Sequence, residues 1–253
     1  MRGHLIKSKI ISALTITFIS VFLWETCAIL VGSESFPHAI EVVIDLWSLV
    51  RSFAFFQELI ITLGITLISV IMGTSLAVII GAVIASSRFG DVSTRRVLNF
   101  VRAIPSVVIL PLLVSSIGSS ILTVVYLTTY VVAFLLLTFV IRGISDIDPG
   151  ILESSYISQI SFLRKVSIVY LPALVSVLGT GLRLGVSRAF GTVIASGIIA
   201  GTPGLGLALL MAQSSANYPR VFSYVFIMGT AGTLIYSAFS KLEVASIKWR
   251  ALT

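Results

Sequence analysis

Six apolar runs, separated by short polar segments, organise this chain. They cover about 10–31, 59–86, 104–118, 121–141, 178–200 and 221–240. The first, Ile10 to Val31, is about 22 residues, enough to cross a roughly 30 Å hydrocarbon core at about 1.5 Å per residue. A signal peptide has a shorter apolar stretch and a small-residue cleavage site, so this run is read as a retained first span. The third run is short and holds Pro105 and Pro111. A proline inside a membrane helix frees a carbonyl and kinks the helix, so neighbouring protein must cover the break. That run is expected inside the bundle, away from lipid. Between the first two runs, Ile40, Val43, Ile44, Trp47, Val50 and Ala54 recur at helical spacing. This pattern predicts a helix lying on the membrane surface, with Trp47 at headgroup depth.

The polar segments divide by charge. Arg2, Lys7 and Lys9 precede the first span, and Arg88, Arg95, Arg96 and Arg102 fall between the second and third. Arg142, Arg164 and Lys165 fall between the fourth and fifth, and Lys241, Lys248 and Arg250 follow the sixth. The alternate set of loops holds only Arg51 and Arg220, so the division is thirteen against two. Basic loops stay in the cytoplasm, which places both termini there. The loop from Ser33 to Glu58 carries Glu34, Glu41, Asp45 and Glu58 instead, as an outer loop can.

Composition sharpens the class. Of 253 residues, 57% are hydrophobic and only 11% charged, with a mean hydropathy of +1.10; a soluble domain carries about 25% charge. Too few charges remain to coat a soluble surface. The net charge of +7 would suggest nucleic acid in a soluble protein, but here it sits in the inner loops, and no nucleic-acid partner is expected. Cys27 is alone, and His4 and His38 are far apart, so no disulfide or metal-ligand spacing is present. The expected fold is all-α: one polytopic, lipid-embedded domain over 1–253 with about six transmembrane helices.

The longest inner loop, 142–172, contains an unusually polar stretch, "ESSYISQISFLRKVSIVYLP", from Glu153 to Pro172. Pro149-Gly150 before it is a turn signal. Ile151, Leu152, Ser155 and Tyr156 then share one face of a short helix, with Glu153 in its first turn, where a carboxylate suits the helix dipole. Such a helix buries little by itself, and its natural use is to dock into a groove on another protein.

These residues resemble the EAA loop of binding-protein-dependent ABC transporter permeases. The family pattern is Glu-Ala-Ala, three residues, Gly, nine residues, Ile, one residue, Leu-Pro. Here Glu153, Ser154 and Ser155 are followed by Gln159, Val169 and Leu171-Pro172 in the same register. Serine replaces alanine without added bulk. Gln159 replaces a glycine whose left-handed turn it disfavours, so the turn after the helix and the fit to a partner are in question. "VRAIPSVVILPLLVSSIG" (101–118), "LPALVSVLGTGLRLG" (171–185) and "GIIAGTPGLGLALLMAQ" (197–213) extend the likeness. Within the family the combination resembles the sulfonate, taurine and nitrate permease branch; related permeases take thiamine precursors and other aromatic substrates.

The resemblance implies a transport subunit, not an enzyme. Two permease subunits, either the same chain twice or a heterodimeric pair, would enclose the path. Two ABC ATPase subunits would each receive one coupling helix from below, and an extracytoplasmic binding protein would deliver the solute from outside. ATP and Mg would belong to the ATPase, and this chain would hold no cofactor. Alternating access would follow from ATP binding and hydrolysis. The residues agree that a motor is missing, since no Gly-x-x-x-x-Gly-Lys-Ser/Thr occurs. "GTPGLG" (201–206) has no lysine and is read as a membrane-edge turn.

Other features have smaller claims. Arg183 and Arg188 fall in the fifth span. A charge at the middle of a membrane helix costs about 2.5 kcal/mol or more, so it must face water or protein. Arg188 is a candidate for attracting an anion in the path, against snorkelling to the inner surface. Arg183 reads as a snorkelling boundary residue, with a pathway role as its alternative. Pro105 and Pro111 line or brace the path. Glu25, the one acid in the predicted spans, is open to an ion-coupling role or to boundary solvation. Asp146-Ile-Asp148 is a coincidental Asp-x-Asp. Gly181 and Gly185 form a Gly-x-x-x-Gly of the kind that lets helices approach closely. A self-contained secondary transporter or channel is the alternative function, supported thinly by Glu25 and the third-span prolines. An intramembrane enzyme lacks the acid or His-acid constellation it needs.

Overall fold

The computed structural model describes residues 2–86 and 92–250, and every regular element among them is helical. Arg88 lies outside the described residues. Helices α1 (Arg2–Val31), α2 (Ala39–Leu49), α3 (Phe53–Ser86), α4 (Val92–Ala103), α5 (Ser106–Ile117) and α6 (Ile121–Ser145) form the first half. After them come α7 (Pro149–Ile157), α8 (Phe162–Lys165), a π-helical turn (Val166–Tyr170), α9 (Leu171–Ala200), α10 (Leu205–Ser214) and α11 (Tyr218–Arg250).

Five helices among the described residues are long and apolar enough to cross a membrane: stretches Leu14–Val31, Phe53–Ile84, Ile121–Ser145, Val177–Ala200 and Tyr218–Lys241. They coincide with five of the six expected spans. The remaining span, 104–118, is the 12-residue helix α5, which at about 1.5 Å per residue reaches only about 18 Å. Its ends are set by backbone chemistry. The residue before a proline avoids the helical region, so α4 stops ahead of Ile104-Pro105. Pro105 takes an extended conformation at the start of α5, and Gly118, at φ +82°, ends it.

The broken junction is covered as the physics demands. In a continuous helix the Val101 carbonyl would accept from residue 105, but proline has no N–H. Instead Val101 O accepts from the Ile104 N–H at 3.3 Å and from the Tyr130 hydroxyl of α6 at 3.0 Å. The expectation that this segment lies inside the bundle holds for one face only. Leu110 is buried, whereas Val107, Val108 and Leu112 are exposed.

Two compact units are present, Met1–Phe56 with Ala208–Ile227 and Gln57–Leu207 with Met228–Thr253. In the first, α2 is the amphipathic helix that the spacing predicts, with Ile40, Val43, Ile44 and Trp47 outward and Leu49 buried. Val50 is its C-cap residue, and Ala54 belongs to α3. Glu25 fixes the start of α2. Its carboxylate accepts from the Ala39 N–H at 3.1 Å and lies 2.6 Å from His38 Nδ1. Arg220 donates to both Asp45 carboxylate oxygens at 2.9 Å, and Trp24 Nε1 donates to Pro37 O at 3.0 Å.

In the second unit α6 is the core element. Val132, Leu136 and Val140, one turn apart, are fully buried. α3 and α9 approach it through glycines. A Cβ on Gly73 would sit 2.7 Å from the Val132 side chain, and one on Gly181 would sit 2.8 Å from Leu136 Cδ2. Gly181 therefore serves packing within this unit, as Gly-x-x-x-Gly spacing permits. The "GTPGLG" segment is a packed turn in which the Leu205 N–H donates to Thr62 Oγ1 at 2.9 Å.

Candidate functional site

Two parts of the second unit carry the expected site residues. One is the loop after α6. There Asp146 caps α6, and Asp148 starts α7: its Oδ1 accepts from Gly150 N at 2.7 Å and its carbonyl from Ile151 N at 3.1 Å. Pro149 occupies the first helical position, where its missing N–H costs nothing. The Asp-x-Asp is therefore a pair of helix-end residues. Glu153 is the fifth residue of α7, so the expected place in the first turn is corrected to the second; the Asp148 cap sets the helix start earlier than the Pro-Gly signal implied. Leu152 and Ser155 turn inward, with the Ser155 hydroxyl on Leu152 O at 2.6 Å. Ile151, expected on that face, is exposed, as are Glu153 and Ser154; the Tyr156 side chain lies outside what is described.

Gln159 adopts φ +50°. It follows α7 in a left-handed cap, with Ile160 N–H reaching back to Ser155 O at 3.4 Å, the bond that defines a Schellman ending. The glycine preference at this position thus has a direct structural cause. After the turn, Lys165 is buried with its Nζ 5.7 Å from the Tyr170 ring centre. Leu171 opens α9, and Pro172 follows at its second position, where a proline is tolerated. Large apolar side chains stand outward around the loop, Ile157 at 83% exposure and Leu163 at 80%.

The second part is a groove along α9. The window Val177–Ala200 contains both arginines, with Arg188 at its middle, roughly 17 Å along the axis from Val177. Five residues apart on a helix, they point about 140° away from each other. Arg183 faces α11. Its Nη1 lies 3.2 Å from Glu243 Oε2, with side chains 24% and 11% exposed. Thr180 Oγ1 donates to Glu243 Oε1 at 2.5 Å, and the Arg183 guanidinium lies 5.2 Å from the Tyr236 ring centre. Arg188 instead lines a cavity of about 270 Å³ between α5, α6 and α9, and Ser106, Val107, Leu110 and Leu127 form the facing wall. Among the described residues Arg188 makes no ion pair. Ser187 and Thr192 also line the cavity, but their hydroxyls donate to the Arg183 and Arg188 carbonyls at 3.1 and 2.9 Å. Among the described residues Arg188 is thus the one charged residue lining the cavity. Pro105 precedes Ser106 and orients that wall; Pro111, mid-helix in α5, does not line the cavity.

The chain is thus a helical membrane subunit with a capped loop helix and a largely apolar groove that Arg188 lines. The chain matches the family model for the binding-protein-dependent transport system inner membrane component over residues 73–243, and it belongs to that family. It is 22% identical over 252 residues to the "Putative aliphatic sulfonates transport permease protein SsuC" of Bacillus subtilis (strain 168), covering 99% of this chain and 88% of that protein. To the formylaminopyrimidine transport permease protein ThiX of Halalkalibacterium halodurans it is 24% identical over 233 residues, covering 90% and 91%. The fold is similar to a chain of the inward-facing MetNI methionine ABC transporter, with a TM-score of 0.64 at 18% identity over 77% of this chain and 96% of that one. A chain of a bacterial ABC transporter that imports alginate gives 0.62 at 13% identity, covering 94% and 96%. This is an ABC importer permease subunit.

Proposed function

We propose that this permease passes a small organic or inorganic anion, of the sulfonate or nitrate kind, from a binding protein outside to the cytoplasm, driven by a separate ATPase. The observation that carries the coupling half is α7: a nine-residue helix, started by its own cap, with Glu153 and Ser154 exposed and Ile157 and Leu163 standing outward beside it. Exposed apolar side chains flanked by a carboxylate suit a groove on a partner. In this reading two ATPase subunits, carrying ATP and Mg, each receive one α7 from a pair of permease subunits. The contact is made by the exposed Glu153 and Ser154, while the buried Ser155, Gln159 and Leu171-Pro172 hold the loop. Both termini lie in the cytoplasm of a bacterial cell, on the basic side of the charge division.

Arg188 supports the anion half. A guanidinium in mid-membrane is tolerated where it faces a cavity and is useful where an anion passes. Arg183 shares the helix, but its charge is met by Glu243, so it braces α9 against α11. The SsuC relative, with sulfonates in its name, fits this choice, and the ThiX relative marks the competing substrate class. The test is copurification of the neighbouring ATPase on a tagged permease, wild type against Glu153→Arg, with membrane abundance measured for both. Loss of the ATPase from the variant alone is the expected result. An ATPase retained by Glu153→Arg, or absent from both at good expression, removes α7 as the coupling contact.

A further inference from the structure

We infer that the groove holds a second anion-binding station, centred on Arg142, in series with the one at Arg188; this rests on the anion reading of the Arg188 cavity. A separate cavity of about 460 Å³ lies between α4, α6 and α9. Asn99, Thr138 and Arg142 form its polar part, and Leu98, Leu135 and Phe139 are among its apolar walls. The Thr138 hydroxyl is committed to Leu135 O at 2.7 Å, so Asn99 and Arg142 are the donors left for a ligand. Among the described residues Arg142 makes no ion pair. Among the described residues each cavity therefore offers one guanidinium, uncharged polar groups and an apolar wall. That chemistry takes a single oxyanion head, sulfonate or carboxylate, with a short apolar tail.

The two cavities are lined by successive stretches of the same helices. On α9, Leu184 lines one and Ser187 and Arg188 the other, one turn further on. On α6, Leu135 to Arg142 line one and Leu127 the other. On the third wall, Leu98 and Asn99 of α4 give way to Ser106 and Val107 of α5. The Tyr130–Val101 hydrogen bond falls between the two sets on both α4 and α6, and Tyr130 packs on Phe134 with ring centres 4.8 Å apart. An anion leaving Arg188 thus meets an aromatic, apolar stretch in which an unpaired charge is costly. A second, weak site beyond it lowers that cost and still lets the ion leave, the condition that conduction through narrow paths requires. Arg142 is also joined to the coupling loop, since its carbonyl accepts from the Asp146 N–H at 3.2 Å.

The test uses the complete transporter, permease with ATPase and binding protein, in phosphatidylcholine vesicles. Uptake of labelled ethanesulfonate is measured for wild type, Arg142→Gln, Arg142→Lys and Arg188→Gln. The purified permease is also titrated with ethanesulfonate at constant ionic strength while its thermal unfolding is followed. Arg142→Gln should cut maximal uptake about tenfold with little change in the concentration dependence, because a transit site acts after loading. Arg142→Lys should restore most of it, and ATPase copurification should stay normal. Ethanesulfonate protection should be weaker in each glutamine variant than in wild type. Wild-type uptake by Arg142→Gln, with Arg188→Gln impaired, overturns the second station and leaves the first. Wild-type uptake by both overturns the anion reading itself. Protection that needs Arg142 but comes from added phosphatidylglycerol and not from ethanesulfonate makes the cavity a lipid-headgroup site and also overturns the proposal.

Discussion

Arg183 and Arg188 stand on one helix, five residues apart, in opposite circumstances. Around Arg183 the helix surface is closed: Glu243 and Tyr236 meet its guanidinium, and Thr180 donates to the same Glu243 carboxylate. Around Arg188 the surface is open, and the guanidinium faces a cavity of about 270 Å³. The cost of placing arginine in a membrane helix is met in the first case by a partner within the protein. In the second it is left for water or for a passing ligand. In the proposed reading the same residue type is structural on one face of α9 and serves transport on the other, with helical rotation alone separating the roles.

The comparison breaks most sharply by removing each charge. Arg188→Gln should lower anion uptake by at least about tenfold while abundance and ATPase copurification stay normal, since the lost interaction is with the solute. Full uptake by this variant removes the role. Arg183→Gln should act in the opposite way. Losing one member of a mostly buried pair costs about 3–5 kcal/mol, so a fall in membrane abundance and in unfolding temperature is expected, with the surviving protein transporting normally. Unchanged stability would show that Glu243 does not hold α9.

Filling the open side is the next step. Gly191 lines the Arg188 cavity, and a Cβ there would meet nothing within 4 Å. Gly191→Leu should therefore fold, with helix propensity improved by about 1 kcal/mol, yet block uptake. Normal uptake would mean that the solute passes elsewhere, and loss of the permease pair on size exclusion would mean that a second subunit packs there. The smallest effects concern the coupling loop. Asp148→Ala removes a helix cap worth about 1 kcal/mol and should weaken ATPase retention under detergent washes; retention equal to wild type would count against the cap. Gln159→Gly relieves a left-handed residue by about 1 kcal/mol and should raise retention. A drop would mean that the Gln159 side chain itself contacts the partner.

Much of this was legible in the sequence, for identifiable reasons. Five long spans appear because about 20 consecutive apolar residues have few other uses. The turn at Gln159 was left in question, because the loop pattern carries a glycine at that register; the residue is left-handed there all the same, at φ +50°. Asp148 was equally visible, directly before the Pro149–Ile157 helix, but its pairing with Asp146 masked its role as a cap. Glu243 could not be assigned to Arg183, because 60 residues separate them and no local pattern links α9 to α11. Nor could the cavities be seen. They arise where α4 and α5 part at Pro105 and lean on α6 and α9, and only the assembled helices show which polar side chains face the gap.

The most direct measurement is uptake per unit of membrane-inserted protein for Arg188→Gln and Arg183→Gln, assayed side by side in the reconstituted transporter with ethanesulfonate as solute. Low specific uptake with normal abundance for Arg188→Gln, and normal specific uptake with low abundance for Arg183→Gln, is the predicted result. Equal specific uptake for both variants and wild type would contradict the division of labour along α9.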